Sequence, residues 1–230
     1  MATLPNRLVV IENADKAWHE HWYKTRNPLN KPHPFRAIIT GPPGVGKTCI
    51  IQNMLSRAQP PFQKVLVLHA DPEQTKEYAG IKAEMMNSIP APDSWDGEQK
   101  TLCIIDDLEI RQLSKEQKRN MERLFSYVST HRNVSIILTS QDNFNIMPCV
   151  RRSANIFILF KIRDVDSLMC IARKIGIPKQ MMRDLMGLLK KKHDSLWLDT
   201  TAGSPIPFAL NGFTEISVDS SSDDDTDHEA

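Results

Sequence analysis

No apolar stretch of this chain approaches the roughly 18 residues that a membrane-spanning helix needs, so no span is expected. Cysteine is scarce: Cys49, Cys103, Cys149 and Cys170, none in a C-x-x-C pair. That argues against a disulfide scaffold or a zinc ribbon, and for reduced, mostly buried thiols in a reducing compartment. The opening MATLPNRLVV lacks the charged-then-apolar pattern of a secretory leader. No internal repeat is visible. Residues 213–230 have no Lys or Arg, against seven acids: Glu215, Asp219, Asp223, Asp224, Asp225, Asp227 and Glu229. The net charge of +1 therefore hides a body, residues 1–212, with 29 basic and 21 acidic side chains. Such a body suits a polyanionic partner, or simply a soluble surface.

What is present is one α/β domain's worth of core. The chain has 230 residues, 40% of them apolar and 25% charged. Its organising stretch is PFRAIITGPPGVGKTCII, residues 35–51. An apolar strand ends at Thr40. Gly41, Pro42, Pro43, Gly44, Val45, Gly46, Lys47 and Thr48 then fit the phosphate-binding pattern G-x-x-x-x-G-K-[ST] at every fixed position. Ile50, Ile51, Met54 and Leu55 follow at helical spacing. Glycines let the backbone approach phosphate closely, and the helix start adds the positive end of its dipole. Lys47 is expected on the β- and γ-phosphates of a nucleoside triphosphate, and Thr48 on Mg²⁺.

Five apolar strands are expected, at 36–40, 64–69, 101–106, 134–139 and 155–160, alternating with helices. The helices are expected at 47–58, from Ser114 as N-cap with Gln117 closing a capping box, from Asp164 to Gly176, and from Pro178 onward. Glu73 to Tyr78 reads as a short helix; residues 80–100 have no clear assignment. Late strands at 194–199 and 207–210 suggest a hairpin around Ala202-Gly203-Ser204. Near-continuous apolar strands argue a mainly parallel sheet covered on both faces. Residues 1–34 read as an N-terminal extension with an edge strand at 8–11, a helix at 14–23 carrying Trp18 and Trp22, and a stiff Pro-rich linker. His19, His21 and His33 lie there without metal-ligand spacing. The core spans 35–212. Residues 213–230 form an acidic tail, with the Ser/Asp-rich run from 217 expected to be disordered.

In a parallel sheet ligands bind at the carboxyl ends of strands. Asp106 and Asp107 end one such strand. The first suits the Mg²⁺ shell and the second the activation of an attacking water. Ser140-Gln141 ends the next strand, where a polar group can touch the γ-phosphate. Arg151 and Arg152 sit in what reads as an irregular stretch. One of them suits an arginine finger acting on a neighbour's nucleotide; a solvated pair or a DNA-backbone contact is the alternative. Lys190-Lys191-Lys192-His193 reads as a solvated helix end or a phosphate contact.

Taken together, Gly41–Thr48, Ile104-Ile105-Asp106-Asp107, Ser135 to Gln141, and Arg151-Arg152-Ser-Ala-Asn155 resemble the genome-packaging ATPases of eukaryotic DNA viruses, virophages and polinton-like elements, in the FtsK–HerA superfamily. The resemblance covers roughly residues 35–175. It implies a three-layer P-loop NTPase fold of the ASCE type and a motor that drives double-stranded DNA into a preformed capsid. It also implies a homo-oligomeric ring, often of six, with capsid proteins as further partners, acting at the assembly site in the host cytoplasm or nucleus or within the virion. ATP and Mg²⁺ are the implied cofactors, Gln141 the γ-phosphate sensor, and an arginine of the 151–152 pair the trans finger. The rival is an AAA+-type helicase or loader in DNA replication, which Arg173 and Arg183 on the late helices keep open and the late strands oppose.

Overall fold

The computed structural model describes residues 27–217 except 74–75, 163, 203 and 205–206. The readings at 8–11 and 14–23, His19 and His21, the turn residue Gly203 and the tail beyond Ser217 lie outside the described residues.

Nine strands form one sheet among the described residues: β1 (Arg36–Thr40), β2 (Lys64–His69), β3 (Glu84–Met86), β4 (Thr101–Asp106), β5 (Val134–Ser140), β6 (Ile156–Phe160), β7 (Ser195–Asp199), β8 (Phe208–Leu210) and β9 (Thr214–Glu215). Their order is β3-β2-β4-β5-β1-β6-β7-β8-β9. The first six in that order pair in parallel, and β7 to β9 extend the sheet antiparallel. The expected mainly parallel α/β sheet is what the chain builds.

The apolar runs are continuous because both faces are covered. Ile38, Leu66, Leu68, Ile105 and Leu138 join one core; Ala37, Ile39, Val67, Ile104 and Ile137 join the other. Helix α1 (Lys47–Ser56) covers the second core with Ile51 and Met54. Helix α2 (Lys115–Arg123) covers the first and runs through a π-turn, Leu124–Val128, into Ser129–His131. The wider turn buries Leu124, Phe125 and Val128 together. Short α3 (Pro148–Ser153), α4 (Val165–Ile175) and α5 (Lys179–Gly187) complete that layer.

Several local readings change. The Ser114 hydroxyl caps α2, accepting from the Gln117 N–H at 3.1 Å. Gln117 does not reach back to close a capping box; its side-chain amide bonds both the N–H and the carbonyl of Ile89. That bond steers the connection whose first part, β3, adds to the sheet beside β2. The described residues of 73–78 form turns, not a helix, because Tyr78 is drawn into the core. Arg151 and Arg152 lie on α3, not on an irregular stretch. The thiols are not mostly buried. Cys103 is, and burial pushes it up to about 12. Cys49 is exposed on the first turn of α1, and Cys149 and Cys170 are half-buried.

The Pro-rich linker is anchored. Leu29 and Asn30 are buried, and Lys31 pairs with Asp199 at 3.1 Å. His33 Nδ1 lies 2.7 Å from Ser135 Oγ and Nε2 lies 2.7 Å from Asn133 Oδ1. The same Ser135 oxygen accepts the Phe35 N–H at 3.1 Å. The neutral ring, accepting at Nδ1 and donating at Nε2, fits both bonds. Burial holds His33 below its ordinary value of 6.5. The unfolded chain then binds the extra proton, so stability is complete above about 6.5 and falls as pH drops below it. We expect the urea midpoint to fall between pH 7 and pH 5, and to fall less in His33→Asn; equal pH dependence would rule out this contribution.

Candidate nucleotide site

The phosphate loop leaves β1 and is stitched at once to its neighbours. The Gly41 N–H donates to the Ser140 carbonyl at 3.1 Å. A Cβ at Gly41 would lie 2.7 Å from Phe160 Cβ on β6, so only glycine fits this passage. Gly46, at φ 110°, turns the loop into α1, aiming that helix's first N–H groups into the loop. Lys47 is buried, and its ammonium arches back to the carbonyls of Gly41 (3.0 Å) and Pro42 (3.3 Å). From outside, His193 Nδ1 donates to the Val45 carbonyl at 2.8 Å, and Lys192 Nζ stands 4.0 Å from where a Gly44 Cβ would be. The basic run 190–193 therefore lies beyond the end of α5, against the loop.

Asp106 ends β4 and is 3% exposed. Its Oδ1 accepts from the Thr139 hydroxyl at 2.6 Å and its Oδ2 from the Tyr78 phenol at 2.6 Å. Burial and the Asp106 carboxylate hold Tyr78 far above its ordinary value, so it stays a donor. Thr48 donates its hydroxyl to Glu77 at 3.0 Å. Glu77 and Tyr78 are chain neighbours, so one loop after β2 joins the Thr48 side of the site to the Asp106 side. Sequence reasoning missed both; the segment carries no motif, and only the fold brings it over α1.

Asp107 takes φ 47°, a left-handed conformation that Asp tolerates, and its N–H donates to Thr139 Oγ1 at 3.1 Å. The bend leaves its side chain exposed at a cavity of about 200 Å³ that Gln141, Thr139, Glu109 and Asn145 also line. Asp107 and Gln141 thus line one cavity beside adjacent strand ends. The arginines do not join them: among the described residues neither hydrogen-bonds to the phosphate loop. Arg151 donates to the Asn143 carbonyl at 2.6 Å and lies 6.0 Å from the Phe144 ring. Asn143 is buried and accepts from the Thr40 hydroxyl at 2.8 Å, linking the end of β1 to Arg151. Arg152 is exposed.

A second cleft, of about 490 Å³, opens beside the start of α1. Val45, Gly46, Cys49, Phe160, Trp197 and Phe213 line it, and its size and apolar walls fit a purine nucleoside. These residues are too far apart in sequence to have been grouped from it.

Gly41→Ala should lower both the melting temperature and nucleotide affinity, and Phe160→Leu in the same chain should not restore them, because the nearest clash is with the Cβ that Leu keeps. Undiminished binding in Gly41→Ala alone would refute the close-approach account.

The sequence family of ATPases associated with various cellular activities (AAA) matches residues 37–163. No curated protein matches the chain. Among solved structures, the chain is similar to the genome packaging NTPase B204 from Sulfolobus turreted icosahedral virus 2 in complex with AMPPCP. There the TM-score is 0.53 and the identity 16%, over 80% of this chain and 97% of that one. The sulfate complex of the same protein gives a TM-score of 0.59 and 16% identity, over 78% and 96%. The pCW3 conjugation coupling protein TcpA, as a monomer with ATPgS, gives 0.54 and 10%, over 77% and 59%. At these identities the likeness is one of fold. A phosphate loop seated between strand ends, with this family match over more than half its length, places the chain in the AAA family of ATPases as a P-loop enzyme that binds ATP.

Proposed function

We propose that this ATPase is a motor that translocates double-stranded DNA into a viral capsid at the site of virion assembly, as a ring of identical subunits. One observation carries the catalytic part: the loop after β2 ties Thr48 and Asp106 into one cluster beside the phosphate loop. Lys47 and the loop N–H groups hold the β- and γ-phosphates. Thr48 and Asp106 form an all-oxygen donor set, which fits Mg²⁺. The bound ion supplies charge neutralisation on the phosphates. Asp107, exposed beside Gln141, takes a proton from the attacking water, and Gln141 contacts the γ-phosphate. Arg152 is the better trans finger, since Arg151 is already committed to Asn143 within its own chain. The cleft at Cys49, Trp197 and Phe213 takes the base.

Two observations support packaging. The fold likeness runs over 97% of B204, described as a genome packaging NTPase. The body is also basic, as a polyanionic cargo requires. A helicase or loader is the second reading, favoured by the AAA match itself. Against it, α4 and α5, with Arg173 and Arg183 exposed on them, pack into the sheet's own core, and the chain returns as β7–β9 instead of forming a separate helical lid.

ATP turnover measured with and without linear duplex DNA, alongside the particle mass with a nonhydrolysable analogue, tests the reading. Packaging expects duplex stimulation of a ring; preference for single strands would favour the helicase. Lys47→Ala should abolish hydrolysis. Asp107→Asn should keep ATP binding while turnover falls by about 10²–10⁴; parallel loss of both would make Asp107 structural. Mixing Arg152→Ala with Asp107→Asn subunits should restore activity where Arg151→Ala mixtures do not, and no rescue in either mixture would remove the trans role.

A further inference from the structure

We propose that Glu77 is a positioning residue of the cation site, acting through Thr48. This rests on the nucleotide-site reading above and extends it to a residue outside any motif.

The chemistry begins with the threonine hydroxyl, which has one proton to give and two lone pairs. A hard cation takes a lone pair, and the proton must point elsewhere. Here it points to Glu77 Oε2 at 3.0 Å, so the oxygen's lone pairs are turned away from Glu77. The carboxylate thereby fixes the rotor of the hydroxyl and adds negative charge beside the position the cation takes, the usual effect of a group that hydrogen-bonds a metal ligand.

Glu77 is itself held. Gln52 on α1 donates from Nε2 to the Glu77 carbonyl at 2.9 Å, which keeps the loop against the helix that carries Thr48. The next residue acts in the same way on the other side. The Tyr78 phenol and the Thr139 hydroxyl donate to the two oxygens of Asp106, leaving its remaining lone pairs to define where a cation can sit. Both cation ligands therefore have a hydrogen-bonding partner from the segment 77–78. Glu77 is exposed, so replacing it leaves no cavity and the fold should tolerate it.

The test separates cation affinity from nucleotide affinity. ATPγS binding is measured first in EDTA and then across a Mg²⁺ titration, for the wild type, Glu77→Gln and Glu77→Ala. The EDTA affinity should be the same in all three. The Mg²⁺ midpoint should rise by about tenfold or more in Glu77→Ala, and by less in Glu77→Gln, which keeps an acceptor but not the charge. A wild-type midpoint in Glu77→Ala would overturn the proposal. So would an equal loss of affinity with and without Mg²⁺, which would make Glu77 only a support of the loop. If the wild type itself binds no ATPγS in either condition, the nucleotide-site reading fails first and takes this inference with it.

Discussion

The structure depends on how closely the chain passes between β5 and β6 as it leaves β1. Gly41 gives its N–H to the Ser140 carbonyl on one side and lies against Phe160 on the other, with no room for a Cβ. That passage fixes where the phosphate loop begins, and Gly46 fixes where it ends. Between them the backbone has no freedom to drift from the strand ends that carry Asp106 and Gln141. Seating the loop and assembling the site are one packing event.

The parallel pairing of β2, β4, β5, β1 and β6 makes this arrangement possible. All five strands point their carboxyl ends the same way, so Thr40, Asp106, Ser140 and the loop after β2 reach one edge of the sheet. Burial on both faces holds the strands in register, and Ser135, fully buried near the start of β5, is satisfied by His33 and the Phe35 N–H. At the carboxyl ends the Thr139 hydroxyl donates to Asp106 and the Thr40 hydroxyl to Asn143. Low exposure strengthens these bonds and leaves Asp106 with both oxygens oriented.

The two halves of the proposed chemistry differ in how they are held. Asp106, Thr48 and Lys47 are fixed by hydrogen bonds within the chain. Asp107, Gln141 and Arg152 are exposed, at positions a ligand or a second subunit can reach. Arg151 is intermediate: its bond to Asn143, and that residue's bond to Thr40, connect α3 to the end of β1.

Much was legible from residue order alone. The phosphate loop, the five parallel strands, the position of Asp106 at a strand end and the caps at Ser114, Asp164 and Gly176 all follow from local rules, because periodicity, glycine and short polar side chains act within a few residues of themselves. Gln117 shows the limit of such rules: its cap was read locally, but Ile89, 28 residues away, claimed its side chain. Tyr78 was likewise drawn into the core and out of the helix expected around it. Only the tertiary structure could bring Glu77 to Thr48, His193 to Val45, and Trp197 and Phe213 to the base cleft. The first two pairings join residues 29 and 148 positions apart, where no short-range pattern exists to be read. The sequence determined that a phosphate-gripping loop would exist and at which strand ends its acids would stand. Folding decided which distant side chains orient those acids and wall the cleft, because long-range packing alone sets those distances.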